Sequence, residues 1–312
     1  CSPSASRLCV LWLHKCFAPY LGILAQENHG NDPSPYGTSY IAASYVKYIE
    51  SAGARVVPIR INRTEAEYEK LFNSINGLLL PGGDVDIQNS LFTRAAKIFY
   101  KLNVLLSCPL QANDAGDYFP LWGTCQGLQQ LTVLTANKNL LTNTDTASVA
   151  LPLTFTPAAQ SSRLFRHFPK NLLKSLSQEN ITANFHHWSV SLQVKHIYIM
   201  NAALKGFYKV LSTNTDGKIE FISTMEAYRY PIYAVQWHPE KTPFEWVDKR
   251  GMVHSSAAVQ VSFYTASFFV SEARKSQHKF SSQEEEDSAL IYNYNAHYKK
   301  YSFYFVQVYY FN

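Results

Sequence analysis

The stretch YFPLWGTCQGLQQL at residues 118–131 decides the fold of this chain. An apolar run at 118–122 leads into the pentapeptide GTCQG (123–127), and apolar residues at helical spacing follow. This order predicts a strand, a tight Gly-x-Cys-x-Gly turn and a helix, which is the thiol form of a nucleophile elbow. Glycines at both ends of the turn let the backbone pass close to its neighbours without Cβ clashes.

The cysteine in this turn, Cys125, is the candidate nucleophile. The turn places it at the start of a helix, where the macrodipole favours a thiolate over a thiol. A thiolate is the attacking species in covalent cysteine catalysis. A free cysteine is also a common small core residue, so the turn alone leaves both interpretations open.

A second motif, His238-Pro239-Glu240, lies in the other half of the chain. The run YAVQWHPE (233–240) predicts a strand that ends in this motif. Residues i and i+2 of an extended chain point to the same side, so His238 and Glu240 are expected side by side. The glutamate then holds one imidazole nitrogen while the other faces a thiol. His-x-Glu alone is more often a surface pair, but with the elbow it predicts a catalytic triad.

With both motifs in view, the chain resembles the class I glutamine amidotransferase superfamily and, within it, the gamma-glutamyl hydrolase family. The elbow and His-Pro-Glu are typical of the superfamily. Three further stretches narrow the resemblance to the hydrolases: PGGDVD (81–86), NFHHWS (184–189) and NTDGKIEF (214–221). The similarity extends from about residue 19 to the C-terminus.

The resemblance implies a fold, an activity and a setting. The fold is α/β, with a mostly parallel central sheet and helices on both faces, as in class I glutamine amidotransferases. The activity is cleavage of γ-glutamyl bonds in folyl or antifolyl poly-γ-glutamates through a thioester, without a metal or organic cofactor. The implied location is lysosomal or secreted. The implied oligomer is a homodimer, with no nucleic-acid or membrane partner.

The resemblance also assigns residues to the reaction. Cys125 is the nucleophile, His238 the base and Glu240 its orienting partner. The oxyanion hole takes backbone N–H groups from Gly82 or Gly83 and from Gln126, and His186 contacts the substrate in its pocket.

Each of the last two assignments has a plainer alternative. Pro-Gly-Gly is ordinary turn chemistry, and His186 is equally well explained as a loop histidine bonded to backbone. Adjacent histidines in a metal site need further ligands at matching spacing, and none is apparent in the sequence.

Composition agrees with a folded enzyme. Hydrophobic residues make up 46% of the 312 and charged residues 16%, which supports a large buried core. No apolar run approaches the roughly 20 residues that span a bilayer. The formal net charge of +5 suits a polyanionic substrate, although a generally basic surface explains it equally well. Lysines and arginines are scattered, and no nucleic-acid-binding motif is present.

Apolar spacing and turn residues predict alternating strands and helices in the first half of the chain. The predicted elements are strands at 20–24, 55–60 and 77–80, helices at 40–52 and about 94–102, and a capping box at 64–67. This order favours a parallel sheet with right-handed crossovers. The loops after such strands bind ligands, and both Pro-Gly-Gly and the elbow occupy such positions.

We expect one domain at 19–312 after an irregular segment at 1–18, a possible signal remnant. Residues 103–116 look unlike the connector of the family and indicate either an insertion or an artefact of the gene model. The aromatic tail at 301–311 covers either a sheet edge or a partner surface.

The remaining cysteines and the two glycosylation sequons bear on the compartment. Cys1, Cys9, Cys16 and Cys108 show no zinc-type spacing and define no disulfide framework. The sequons begin at Asn62 and Asn180 and permit a secretory route.

Gln129 and Gln130 stand where the resemblance leads us to expect acidic residues, which alters the charge of the pocket. Two other functions stay open. One is a glutaminase that supplies ammonia to a synthetase, although no synthetase domain is visible. The other is a binding protein on the same fold, for which a lost Cys or His would be the usual sign.

Overall fold

An eight-stranded sheet runs through the structure, a computed structural model that describes residues 18–28, 36–104, 117–192, 201–299 and 304–312. The strands are β1 (Tyr20–Leu24), β2 (Gln26–Glu27), β3 (Ser39–Ala42), β4 (Arg55–Ile59), β5 (Leu78–Leu80), β6 (Leu121–Thr124), β7 (Leu141–Leu151), β8 (Thr154–Phe155), β9 (Thr182–Val190), β10 (Tyr208–Thr215), β11 (Glu220–Ala227), β12 (Ile232–Val235), β13 (Ala296–Tyr298) and β14 (Gln307–Phe311). The helices are α1 (Ala43–Glu50), α2 (Glu65–Ser74), α3 (Leu91–Val104), α4 (Gln126–Ala136), α5 (Lys170–Gln178), α6 (Ala202–Phe207), α7 (Lys241–Phe244), α8 (Ser256–Ala273) and α9 (Gln283–Ala289).

The strand order of the main sheet is β4-β1-β5-β6-β12-β11-β10-β8. The first five strands run parallel, and the last three are added antiparallel. A four-stranded sheet (β13-β14-β3-β2) and a β7–β9 pair stand beside it. The α/β fold with a mostly parallel sheet is therefore confirmed.

Alternating side chains of the sheet face two separate hydrophobic cores. In β1, Tyr20 and Leu24 pack into one core, whereas Leu21 and Ile23 pack into the other. Helices α2, α3 and α4 cover the first face, and α1, α5 and α8 cover the second. Helices thus lie on both faces, as expected.

The two catalytic motifs meet because β6 and β12 are adjacent parallel strands. Their register pairs Thr124 with Val235, the last residue of each strand. The elbow and the His-Pro-Glu segment therefore leave the sheet at the same edge. Strand pairing across the chain, not local sequence, brings them together.

The predicted helix at 40–52 begins later than expected. Residues Ser39–Ala42 form β3, which pairs with β14 near the C-terminus and with β2, and α1 begins at Ala43. Apolar spacing does not reveal this because the strand depends on a distant partner. Of the two alternatives for the aromatic tail, the same pairing favours the sheet edge, since Gln307–Phe311 covers the edge of β3.

Most other predicted elements lie close to their expected positions. The strand at 20–24 and the capping box of Thr64 with Glu67 are confirmed. The strands predicted at 55–60 and 77–80 run from Arg55 to Ile59 and from Leu78 to Leu80. The helix predicted at 94–102 runs from Leu91 to Val104 and so takes in the first two residues of the suspected insertion.

Several predictions fall outside the described residues. These are the segment before residue 18, the rest of the suspected insertion at 105–116, and the cysteines Cys1, Cys9, Cys16 and Cys108. The division into 1–18 and 19–312 stays a prediction. No helix in the described ranges is long and apolar enough to cross a membrane.

Candidate active site

Cys125 occupies a strained turn between β6 and α4. Its φ of 53° and ψ of −107° are values that non-glycine residues rarely adopt, and such strain concentrates at functional sites. Its N–H donates to the carbonyl of Val235 at 2.8 Å, which ties the elbow to β12. The residue is 4% exposed and lines a cleft.

The glycines of the elbow are required by close packing. A Cβ on Gly127 would lie 2.0 Å from the carbonyl oxygen of Leu80, and one on Gly123 would lie 2.7 Å from the carbonyl carbon of Gly127. Neither backbone atom can move aside as a flexible side chain can. The elbow therefore needs both glycines, as the sequence predicted.

His238 and Glu240 are paired, but the backbone that pairs them is not extended. Strand β12 ends at Val235, and Glu240 has helical angles (φ −70°, ψ −25°) as the residue before α7. The expectation of a strand reaching Glu240 is therefore wrong. The chain turns after the strand, and Oε1 of Glu240 still lies 2.7 Å from Nδ1 of His238.

The charges around His238 favour its protonated form. Burial alone would lower the pKa of His238, but the charges of Glu240 and Cys125 and hydrogen bonds to both outweigh it and raise the pKa to about 9. With Nδ1 held by Glu240, Nε2 is the nitrogen that serves the thiol. The structure thus brings the three side chains together, and their roles as nucleophile, proton carrier and orienting carboxylate stay predictions.

The loop after β5 lies against this triad. A Cβ on Gly82 would lie 2.7 Å from Cε1 of His238 and 3.2 Å from Cβ of Cys125. The N–H of Gly82 donates to the hydroxyl of Tyr45 at 2.7 Å, whereas the N–H of Gly83 has no hydrogen-bond partner among the described residues. Of the two predicted alternatives, the geometry therefore favours Gly83 as an oxyanion donor.

Gln126 is the first residue of α4, where backbone N–H groups have no acceptor within the helix. Its side chain binds the loop after β5, with Nε2 donating to the carbonyl of Val85 at 2.6 Å. Its Oε1 accepts a hydrogen bond from Gln26 at 3.0 Å. The two regions predicted to supply the oxyanion hole are thus hydrogen-bonded to each other.

Tyr45 is a site residue that the sequence analysis missed. Its spacing in α1 matches the apolar face of the helix, and the side chain is 1% exposed. The hydroxyl accepts from Gly82 and lies 3.4 Å from Nδ1 of His238. Burial raises the pKa of Tyr45 well above its usual value, and the charges of Glu240 and Cys125 add to the rise. The sequence signal that could have identified Tyr45 is a general one: the hydroxyl of a buried tyrosine needs a hydrogen-bond partner.

His186 lies on β9 in the wall of the same cleft and is 4% exposed. Its Nδ1 is 2.9 Å from Oγ1 of Thr146 and 3.1 Å from Oγ of Ser189, and its Nε2 is 3.2 Å from Oδ1 of Asn184. Burial and the charge of His238 lower its pKa to about 3. A substrate carboxylate at this wall therefore meets a neutral ring. The predicted contact with substrate stays a prediction.

Lys241 is a second residue that the sequence analysis missed. It is 2% exposed, and its Nζ donates to the carbonyl of Tyr304 at 3.1 Å. Burial lowers the pKa of Lys241, although the carboxylates of Glu240 and Glu245 oppose this. No pattern near His-Pro-Glu distinguishes this lysine from a surface lysine, because its contacts are with Tyr304 and Phe305, far along the chain.

The glutamines at 129 and 130 have different surroundings. Gln129 lines the cleft, and its Nε2 donates to the carbonyl of Trp188 at 2.7 Å. Gln130 is fully buried, and its Oε1 accepts from Thr93. Gln129 is therefore the one of the two that faces the pocket, with a neutral amide where the resemblance predicts a carboxylate.

The cleft has a volume of about 580 Å³, within the range of small-molecule sites. Two lysines, Lys241 and Lys299, and one carboxylate, Asp84, are among the described residues that line it. This balance suits an anionic ligand. Nowhere in the described ranges do three His, Cys, Asp or Glu side chains gather as a candidate metal site.

Comparisons with known proteins identify the family. The family model for Peptidase C26 matches residues 19–240. The chain is 53% identical over 303 residues to gamma-glutamyl hydrolase of Homo sapiens, with 92% of each chain covered. It is 56% identical over 276 residues to gamma-glutamyl hydrolase of Rattus norvegicus, with 88% of this chain and 84% of the rat protein covered. Gamma-glutamyl hydrolase 1 of Arabidopsis thaliana is 36% identical over 295 residues, with 92% of this chain and 80% of that protein covered.

Among solved structures, the glutaminase domain of the Trypanosoma brucei CTPS with bound acivicin has the same fold. Its TM-score is 0.51 at 12% identity, and the match covers 85% of this chain and 98% of that domain. At this identity the likeness concerns the fold alone.

Proposed function

The chain belongs to the Peptidase C26 family of gamma-glutamyl hydrolases, and on this basis we propose that it cleaves γ-glutamyl amide bonds through a thioester on Cys125. The observation that carries the proposal is the arrangement of three side chains: Cys125 and His238 line one cleft, and the buried Glu240 holds Nδ1 of His238. The family indicates that the cleaved bond is a γ-glutamyl amide, and the geometry of the three side chains supports a thioester mechanism.

The first half-reaction forms the thioester. His238 takes the proton of the thiol on Nε2, so Cys125 attacks the γ-carbonyl carbon as a thiolate. The carbonyl oxygen becomes an oxyanion that the N–H groups of Gly83 and Gln126 stabilise. When the carbonyl re-forms, the C–N bond breaks and the leaving amine takes the proton from His238.

The second half-reaction releases the acyl group. Neutral His238 accepts a proton from water, and the resulting hydroxide attacks the thioester carbon. The C–S bond then breaks, the thiolate returns to Cys125 and His238 keeps the proton. Glu240 holds the ring through Nδ1 in both halves, so the same nitrogen faces the reacting atoms throughout.

We propose folyl or antifolyl poly-γ-glutamates as substrates. The family resemblance implies them, and Lys299 on the wall of the cleft supplies a positive charge for a substrate carboxylate. The volume of about 580 Å³ also leaves room for more than a single glutamyl unit.

The test is mass-spectrometric product analysis with pteroyl-penta-γ-glutamate, for the wild type and Cys125→Ala. We expect the wild type to shorten the chain and the variant, shown to be folded by its thermal unfolding, to leave it intact. A folded wild type that leaves the tail intact contradicts the proposal. Ammonia released from glutamine would then indicate a glutaminase, and no reaction with either compound would indicate a binding protein.

We also propose a secretory setting, lysosomal or extracellular. Asn62 and Asn180 are both exposed, which makes both sequons accessible to glycosylation. Expression in secreting cells should yield a protein whose mass falls on endoglycosidase treatment, and Asn62→Gln with Asn180→Gln should abolish that fall. The resemblance further implies a homodimer, which sedimentation equilibrium would measure directly.

A further inference from the structure

Three residues follow the ends of three adjacent parallel strands. Strands β1, β5 and β6 are neighbours in the main sheet, and Gln26, Gly82 and Gln126 each lie two residues beyond the end of their own strand. Because parallel strands end at one edge of a sheet, these residues meet near the nucleophile. Gly82 and Gln126 belong to the two segments of the proposed oxyanion hole. Gln26 has no part in the chemistry described above.

The side-chain amide of Gln26 joins these two segments. It is 1% exposed and does not line the cleft. Its Nε2 donates to the carbonyl of Gly82 at 3.4 Å and to Oε1 of Gln126 at 3.0 Å. One buried amide therefore contacts both the loop after β5 and the first residue of α4.

The bond to the carbonyl of Gly82 bears directly on the N–H of Gly83. Both groups belong to one peptide unit, which is planar and trans, so its C=O and its N–H point in opposite directions. A carbonyl held by Gln26 therefore directs the N–H of Gly83 away from Gln26. Because neither glycine has a Cβ to restrict its backbone, this peptide unit has other orientations open to it without the bond.

The amide of Gln26 also packs against Gly83 itself. A Cβ on Gly83 would lie 2.3 Å from both Cδ and Nε2 of Gln26, so the amide occupies the place of a side chain. The backbone that carries the amide is anchored on both sides. Gln26 pairs with Tyr40 of β3, and the N–H of Ala25 donates to the carbonyl of Ile59 at 2.9 Å. The amide is therefore a fixed support for the loop after β5.

We propose that Gln26 is a positioning residue for the oxyanion hole. By holding the peptide unit between Gly82 and Gly83, it keeps the N–H of Gly83 directed at the oxygen of the reacting carbonyl. The proposal deepens the proposed function and rests on it. Gln26 lies outside the cleft, so it acts through the loop and not by contact with substrate. An oxyanion forms in both half-reactions, so the loss of Gln26 slows both and leaves substrate binding in place.

The first test is steady-state kinetics of Gln26→Leu with pteroyl-di-γ-glutamate. Leucine fills most of the volume of the amide but has no donor. We expect kcat to fall about ten- to thirtyfold with KM unchanged, which is less than the roughly 10²- to 10³-fold cost of losing an oxyanion donor outright. Gln26→Met differs in shape but also lacks the donor, so it should show the same fall. It carries the test if Gln26→Leu does not fold.

The second test is alkylation of Cys125 by iodoacetamide, which separates positioning from damage to the nucleophile. The thiolate displaces iodide from a saturated carbon, so a C–S bond forms as the C–I bond breaks and no oxyanion develops. The rate depends on the thiolate and not on the oxyanion hole. Mass spectrometry of the peptide that contains Cys125 measures it. In both variants this rate should stay within about twofold of the wild type, because the thiolate is unchanged.

The matched control is Gln130→Leu. Gln130 is also a buried amide, its Oε1 accepts a hydrogen bond from Thr93 at 2.8 Å, and it does not line the cleft. The variant removes the same kind of group from α4 and should keep the kcat of the wild type. Denaturant unfolding reports the stability of each variant. An equal fall of kcat in Gln130→Leu would assign the effect to the loss of any buried amide and overturn the proposal.

A wild-type kcat in both Gln26 variants also overturns the positioning role while leaving the hydrolase intact. Alkylation rates that fall in parallel with kcat do the same, because the effect then belongs to the nucleophile. A wild type that is alkylated at Cys125 but cleaves no γ-glutamyl bond contradicts the proposed function, and this inference fails with it. The failures are thus distinguishable.

Discussion

The hydroxyl of Tyr45 accepts a hydrogen bond from the backbone N–H of Gly82 at 2.7 Å. The same oxygen lies 3.4 Å from Nδ1 of His238, so one buried phenol contacts both the loop after β5 and the triad. The hydroxyl satisfies a buried backbone donor beside the nucleophile. It also leaves Gly83, not Gly82, as the open donor of that loop.

Replacing Tyr45 with phenylalanine should lower both stability and kcat. The N–H of Gly82 loses its acceptor in a buried setting, which costs about 1–3 kcal/mol of the free energy of unfolding. The loop beside the oxyanion loses its anchor, so we expect kcat to fall about tenfold, by the loss of one such positioning bond. Denaturant unfolding and steady-state kinetics measure the two effects.

Tyr48→Phe is the matched control for this prediction. Tyr48 is equally buried in α1, but its hydroxyl donates to Thr265 at 3.0 Å, away from the cleft. This variant should lose stability and keep its kcat. If both variants lower kcat equally, the effect belongs to the helix and not to the contact with Gly82.

Activity should fall as the pH rises through about 9, because His238 must carry a proton for the leaving amine. Glu240→Gln keeps the shape of the partner but removes the charge that raises the pKa of His238. The alkaline limb of kcat/KM should therefore move to lower pH, and kcat should fall about a hundredfold, within the range for general acid–base catalysis. If the alkaline limb of the kcat/KM profile lies at the same pH in Glu240→Gln as in the wild type, a group other than His238 controls it.

The buried ring of His186 should make the protein less stable in acid. Its folded pKa of about 3 lies below the unfolded value of about 6.5, so between these values the unfolded chain binds a proton that the folded protein does not. Stability therefore falls as the pH drops below 6.5, by about 2 kcal/mol at pH 5 from this group.

His186→Gln should flatten that dependence between pH 7 and pH 5 in denaturant unfolding, whatever its effect on absolute stability. His187→Gln is the control, since it removes the exposed neighbouring histidine and leaves the buried ring in place. Equal slopes for His186→Gln and the wild type would assign the acid sensitivity to other groups.

Gly127→Ala should unfold the elbow or the whole protein. The added Cβ would meet the carbonyl oxygen of Leu80 at 2.0 Å, and neither backbone segment can yield without disturbing β5. Gly206→Ala is the control, because nothing lies within 4 Å of its Cβ position in α6. That variant should gain up to about 1 kcal/mol from helix propensity. A folded, active Gly127→Ala would contradict the close approach.

The sequence by itself determined the parts of this protein that depend on local backbone chemistry and on motifs. The elbow around Cys125, the capping box at Thr64 and the strand at Tyr20–Leu24 follow from residue type and spacing within a few positions. The motifs also identified the family and the α/β fold with its mostly parallel sheet. These features need no knowledge of distant contacts.

Only the tertiary structure decided which distant residues complete the site. In the sequence, Tyr45 matches an ordinary helix position and Lys241 an ordinary surface lysine. Their contacts come from the loop after β5 and from Tyr304, both distant in sequence. The pairing of His238 with Glu240 was expected, but its extended backbone was wrong because the chain turns after β12. The contacts that bury a polar side chain form between segments remote in sequence, so local sequence patterns do not predict them.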